Sequence, residues 1–177
     1  MTLPANNQDK QAWCDAFGAP TERKFVRWAV DTLGLDLRMN DAKADDPYTF
    51  DMYLGSWPAD LKSVRTPFYM ASALFGLEPQ YTVTFNHKDG SRYREKYPTI
   101  RVIFDVMFDG KRHRMGVVQP MRLVAVGTLD DVATAIRDSG LHKHPYRERV
   151  NDKSGNAKES WLLDVRRLTV LYERDPN

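Results

Sequence analysis

Cysteine is nearly missing from this chain: Cys14 is the single example in 177 residues. One thiol cannot close an intramolecular disulfide, and together with four scattered histidines it cannot supply the paired Cys/His spacing of a structural zinc site. No apolar run approaches the roughly 20 residues that span a bilayer, and residues 1–11 are polar, without the apolar centre of a signal peptide. No Gly-rich phosphate loop occurs, which argues against a nucleotide-hydrolysing machine. Internal repeats and low-complexity tracts are absent as well. Membrane spans, disulfide scaffolds and zinc modules are excluded on these grounds, and the cytoplasm is the expected compartment.

What is present suits one globular domain across residues 1–177, because 42% hydrophobic residues are enough to fill a single core at this length. The net charge of +2 hides an uneven distribution. Between Asp36 and Asp60 six acids (Asp36, Asp41, Asp45, Asp46, Asp51, Asp60) face two bases, Arg38 and Lys43. Downstream the sign reverses, with Arg92, Arg94, Lys96 and Arg101 followed by Lys111, Arg112, Arg114 and Arg122 in a stretch without acids. A local acidic cluster in a mildly basic protein suits a cation site beside a polyanion.

Apolar periodicity predicts a helix over residues 21–33, with Thr21 as N-cap, Phe25, Val26, Ala29, Val30 and Leu33 on one stripe, and Gly34 as the stop. Glu22 falls on that stripe, so its carboxylate is expected at the edge of the core. Residues 48–54 alternate as a strand, Gly55-Ser56 form a turn, and 57–64 return as the second strand of a hairpin. A short helix over 68–75, strands at 81–85, 100–108 and 115–118, and a helix at 129–138 capped by Thr128 follow. Lys88-Asp89-Gly90 and Asp109-Gly110 read as loops, as does 151–160. The apolar pattern of 161–172 fits strand and helix alike.

The sharpest feature is Asp51, eight residues, then Asp60-Leu61-Lys62, with Glu22 upstream on a helix. Strand residues at i and i+2 share a face, so Asp60 and Lys62 project together while Asp51 comes from the neighbouring strand. Carboxylates that converge repel one another unless a cation lies between them. Mg²⁺ meets that need with a few carboxylates and several waters, and it can hold a scissile phosphate and acidify an attacking water. Lys62 beside it would activate that water or neutralise charge developing on the phosphate.

This pattern resembles the core of the PD-(D/E)xK nuclease superfamily, the restriction-endonuclease-like fold shared with Holliday junction resolvases. The resemblance spans about residues 22–65; Phe50, not proline, precedes Asp51. It implies an α+β fold with a central mixed sheet flanked by helices, a nuclease-like core over about 21–125 and a C-terminal elaboration over 126–177. It further implies a DNA phosphodiesterase, endo- or exonucleolytic, with Asp51 and Asp60 as ligands of Mg²⁺ or Mn²⁺, the Leu61 backbone carbonyl as a further ligand, Lys62 as the catalytic cation, and Glu22 as an accessory ligand or orienter. Related folds often act as dimers, which leaves a homodimer open.

Arg65, Arg92, Arg94, Lys96, Lys111, Arg112 and Arg114 are the candidate DNA contacts, and Tyr93, Tyr97, Tyr146 and Trp161, interleaved with Arg92, Arg94, Lys96, Arg147 and Arg149, are the candidate stacking platforms. The competing expectation is an inactive nucleic-acid-binding or protein-interaction module on the same fold, the acidic stretch 36–60 serving as a docking face. Asn86-His87-Lys88-Asp89 is expected as a polar turn, and His142-Lys143-His144 as an exposed basic loop.

Overall fold

The computed structural model describes residues 18–46, 48–113, 116–144 and 159–174, with side chains of residues 19 and 111–116 outside the description. The chain is an α+β protein. Among the described residues four α-helices and nine strands run in the order α1 (Ala19–Leu33), β1 (Leu37–Met39), β2 (Met52–Leu54), β3 (Trp57–Val64), α2 (Ala71–Phe75), β4 (Thr82–Asn86), α3 (His87–Lys96), β5 (Arg101–His113), β6 (Gly116–Thr128), α4 (Leu129–Asp138), β7 (Lys143–His144), β8 (Ser160–Asp164) and β9 (Thr169–Arg174). Six strands form a central mixed sheet in the order β1-β2-β3-β5-β6-β9, and three form a smaller sheet, β4-β8-β7. Only the β3–β5 ladder of the central sheet is parallel. Among the described residues no helix is long and apolar enough to cross a membrane.

Both faces of the central sheet are covered, and the alternation along β5 shows how. Val102, Phe104, Val106 and Phe108 point into a cluster built with Tyr93 of α3, Leu129, Val132, Ala135 and Ile136 of α4, and the small sheet. Ile103 points the other way, with Leu61, Ala59 and Met52, against Phe25 and Ala29 of α1. Period-2 side-chain alternation on a sheet buried on both sides gives the near-continuous apolar run that β5 carries.

Several expectations require correction. Helix α1 begins two residues before Thr21, at Ala19 after Gly18, because Pro20 fits the first turn, where a missing N–H costs nothing. The strand expected over 48–54 is ordered as a strand only at Met52–Leu54, and the helix expected over 68–75 only at Ala71–Phe75. Lys88-Asp89-Gly90 is not a loop but the first turn of α3, where the Asn86 side chain accepts the Lys88 N–H at 2.9 Å. Asn and Gly serve helix starts and turns alike. Gly90 packs closely there: a Cβ would lie 3.1 Å from the Phe85 ring, which would have to give by a few tenths of an ångström.

Asp109-Gly110 lies within the β5–β6 ladder, Asp109 opposite Pro120 and Lys111 opposite Val118. Gly110 adopts φ 72°, and a Cβ there would meet Pro120 at 2.5 Å, so the glycine answers a crowded strand position instead of a chain reversal. The undecided segment 161–172 resolves into β8, a 3-10 turn at Val165–Arg167, and β9, which belong to different sheets. Ser160, expected in a loop, is buried in β8; residues 151–158 lie outside the described residues. The capping box at Thr128 and Asp131 starts α4 as the sequence predicts.

Candidate active site

Asp51 stands immediately before β2, its N–H donating to the Ala59 carbonyl at 3.1 Å and its carbonyl accepting the Asn40 N–H at 3.1 Å. Asn40 organises this corner from a buried position. Its Nδ2 donates to the Phe50 carbonyl at 2.9 Å, and its Oδ1 caps the 3-10 turn Asp41–Ala44 by accepting the Ala42 N–H at 3.2 Å. That turn carries Lys43, whose Nζ donates to Glu22 Oε1 at 2.7 Å and to Asp51 Oδ1. The Leu61 N–H completes the arrangement by donating to Asp51 Oδ2 at 2.8 Å.

The β2–β3 ladder ends where Met52 meets Ala59, so at Leu61 the Asp51 side chain takes the place of a paired strand. The N–H and C=O of one strand residue point to the same edge. The Leu61 carbonyl therefore faces the edge that Asp51 occupies.

Asp60 and Lys62 project from the opposite face of β3, toward α3. Lys62 Nζ lies 2.8 Å from Asp60 Oδ2 and 2.6 Å from Asp89 Oδ2. The Tyr93 hydroxyl donates to Asp60 Oδ1, and Arg92 reaches both that hydroxyl and Asp89 Oδ1 at 3.1 Å. Asp89 and Tyr93 are four residues apart on α3, so one helix face presents both to the strand. Tyr93 is fully buried, and Asp60 is 5% exposed.

Burial raises the Asp51 carboxyl to about 7, helped by the charge on Asp60 and held back by Lys43. Burial, then Asp60, also pushes the Tyr93 phenol up, which keeps it a donor. Burial alone would lower Lys62, but Asp60, Tyr93 and Asp89 together outweigh it and leave the ammonium raised well above its usual value. Lys43 is raised in the same manner by Asp51 and Glu22 against its own burial.

The Asp51 shift has a measurable consequence. A folded-state carboxyl near 7, against about 4 in the unfolded chain, means that the native state binds more protons between those values. Stability contributed at this position is therefore present at low pH and is lost as pH rises through 7. Urea unfolding of wild type and Asp51→Asn from pH 4 to pH 8 should show wild type losing a few kcal/mol relative to the variant across that window, at about 1.4 kcal/mol per pKa unit. Parallel profiles would mean that Asp51 titrates normally.

Among the described residues no group of three His, Cys, Asp or Glu side chains converges closely enough to hold a metal ion. The donor set still suits Mg²⁺, which takes one or two carboxylates and keeps several waters. Asp51, Asp60 and the edge-facing Leu61 carbonyl supply two carboxylates and a neutral oxygen. Asp60 Oδ2 lies 2.8 Å from the Lys62 ammonium, and Glu22 Oε2 is buried without a hydrogen-bond partner. Glu22 itself is engaged by Lys43, so its contact with Asp51 runs through the ammonium.

The structure brings Glu22, Asp51, Asp60, Leu61 and Lys62 to one region of the β2–β3 hairpin. Lys43, Asp89 and Tyr93 belong to it too, and sequence reasoning missed their part. The i, i+4 spacing of Asp89 and Tyr93 becomes a signal once 87–96 is read as a helix, and Lys43 is one of two bases in the acid-rich stretch.

The basic residues divide. Arg65 is held by Asp105, at 2.6 Å to its carbonyl and 2.5 Å to Oδ2, and Arg92 folds back over Tyr93 and Asp89. Arg94 is 67% exposed, 3.8 Å from Asp130, and Lys96 is exposed. Tyr93, expected as a stacking platform, is buried and cannot serve as one. The side chains of Lys111 and Arg112, and the whole of Arg114, Tyr146, Arg147 and Arg149, lie outside the described residues. Comparison of the chain with family models, with curated proteins and with solved structures gives no significant match.

Proposed function

We propose that the protein is a metal-dependent nuclease that hydrolyses DNA phosphodiester bonds, using a site that resembles the PD-(D/E)xK pattern. The single observation that carries the reading is that Asp51 is anchored to the Leu61 N–H while Asp60 and Lys62, the flanking residues of β3, pair with each other, so that both carboxylates and the lysine of the pattern are held at one three-residue stretch of strand. The α1–hairpin–sheet arrangement, with Asp51 next to β2 and Asp60-Leu61-Lys62 on the adjacent β3, supports it.

Asp51 and Asp60 would hold Mg²⁺ or Mn²⁺, which supplies a Lewis acid and an acidified water when bound. Lys62 is a cation at neutral pH in this setting, so its role is to meet negative charge developing on the phosphate, not to take a proton. Asp89 and Tyr93 hold the ammonium and the Asp60 carboxylate in register, and a fixed donor costs no reorganisation when charge develops.

One observation favours a second reading, an inactive binding module: the Lys43 ammonium bridges Glu22 and Asp51, taking an oxygen of each that a metal ion would use. Incubation with linear, nicked, branched and single-stranded DNA in Mg²⁺ or Mn²⁺ separates the two. Cleavage that Asp60→Asn and Lys62→Ala each reduce by about 100-fold or more supports the nuclease. DNA left intact by wild type under every condition, or cut equally by Lys62→Ala, overturns it.

A further inference from the structure

Trp57 opens β3 and is 45% exposed, an unusual position for the largest side chain on a strand whose centre, Ala59 to Leu61, is buried. The Arg101 guanidinium lies 4.7 Å from the centre of its ring, a cation–π contact that covers one part of the indole and leaves the remainder open. Around the pair is a cavity of about 460 Å³ lined by Trp57, Arg94, Arg101, Thr128, Leu129 and Asp130, among others. Its size falls in the range of small-molecule and nucleotide sites. Two guanidiniums face one carboxylate, and Asp130 is almost wholly exposed and 3.8 Å from Arg94, so the lining remains net positive.

Three elements, β3, β5 and α3, contribute to both the cavity and the candidate active site or its neighbours. Trp57 precedes Lys62 by five strand residues, about 17 Å at the rise of a β-strand, and opens the Ala59–Leu61 face of β3 while Asp60 and Lys62 lie on the other. Arg101 is the cross-strand neighbour of Ala59 and shares the face of Ala59 and Ile103. Arg94 follows Tyr93 on α3, the residue that donates to Asp60.

We propose that this cavity binds an unpaired nucleotide of single-stranded DNA, Trp57 stacking on the base while Arg94 and Arg101 hold adjacent phosphates. An aromatic face with flanking guanidiniums is the chemistry that recognises a single strand, because every unpaired base offers a π-face whereas bases inside a duplex are already stacked. The choice of DNA rests on the nuclease reading; the preference for an unpaired nucleotide rests on the cavity. The protein therefore selects single-stranded, frayed or branched DNA over continuous duplex.

The test is done in EDTA, where metal-assisted cleavage is silent. A fluorescently labelled oligothymidylate and a blunt hairpin duplex are titrated separately into wild type, Trp57→Leu, Trp57→Phe and Arg101→Gln, with anisotropy and intrinsic tryptophan emission as readouts. Wild type should bind the oligothymidylate more tightly than the hairpin, with quenching of Trp57. Trp57→Leu should weaken single-strand binding roughly 5- to 100-fold, Trp57→Phe should restore most of it, and hairpin binding should be equal in all three. Arg101→Gln should lower the dependence of log affinity on log salt by about 0.7.

Equal single-strand affinity of wild type and Trp57→Leu, or a preference for the hairpin, overturns the proposal. Quenching by oligothymidylate in a protein that never cleaves DNA in Mg²⁺ or Mn²⁺ upholds the cavity and refutes the nuclease reading. Cleavage that proceeds with single-strand binding indifferent to Trp57 does the reverse.

Discussion

Replacing Lys43 by methionine should cost about 3–5 kcal/mol of stability at pH 8, the range found when one member of a buried ion pair is removed. Glu22 is 8% exposed and Asp51 is 6% exposed, and the Lys43 ammonium bonds to both. Without it two buried carboxylates confront each other, with Asp60 adding its charge from the neighbouring strand. The loss should shrink toward pH 5, since Asp51 relieves the repulsion by taking a proton.

Urea unfolding of Lys43→Met at the two pH values checks both statements. Glu22→Gln added to Lys43→Met should recover most of the loss, because it deletes the charge left unpaired. Added Mn²⁺ should stabilise Lys43→Met more than wild type, since an ion that binds the native state alone raises stability by mass action. A Lys43→Met protein as stable as wild type at pH 8 would mean that the ammonium contributes no net stabilisation to the acid pair.

Asp105→Asn should cost about 3 kcal/mol, judged from two charge-assisted hydrogen bonds at about 1.5–3 kcal/mol each, with part recovered by the neutral amide. Asp105 is completely buried on the α1 face of β5, where Arg65 bonds its Oδ2 at 2.5 Å and Arg122 bonds its Oδ1 at 3.0 Å. Arg122 also lies 3.2 Å from the centre of the Trp28 ring, and Trp28 packs edge-on against Tyr172 of β9. The carboxylate thereby ties β3's exit, β6, α1 and the last strand together. A double-mutant cycle between Asp105→Asn and Arg122→Leu, followed by urea unfolding, should return a coupling of about 1–3 kcal/mol. Additive losses would mean that the two side chains act independently.

The hairpin at the centre of the site was legible because its physics is local. Trp57–Val64 alternates with period 2, Gly55-Ser56 turns the chain, and Asp60 and Lys62 must then share a face. Glu22 was legible for a similar reason: helical spacing puts it on the stripe with Phe25 and Ala29, and it is buried there. Residues 87–96 misled because Asn, Asp and Gly mark turns and helix starts equally, and Tyr93 is the helix's single fully buried side chain. One large anchor leaves no periodic stripe to detect. Gly110 misled through the same ambiguity, its positive φ serving a crowded strand instead of a reversal.

By itself the sequence determined the α+β character, the position of the hairpin, the helical placement of Glu22 and the capped start of α4, all consequences of periodicity and capping within a few residues of one another. Only the tertiary structure decided that Lys43 spans Glu22 and Asp51, that Asp89 and Tyr93 close over Lys62 and Asp60, and that Arg65 is committed to Asp105. Those pairings join residues 8 to 40 positions apart. Which ammonium reaches which carboxylate depends on how helices dock on the two faces of the sheet, and that docking is set by the packing of the whole core.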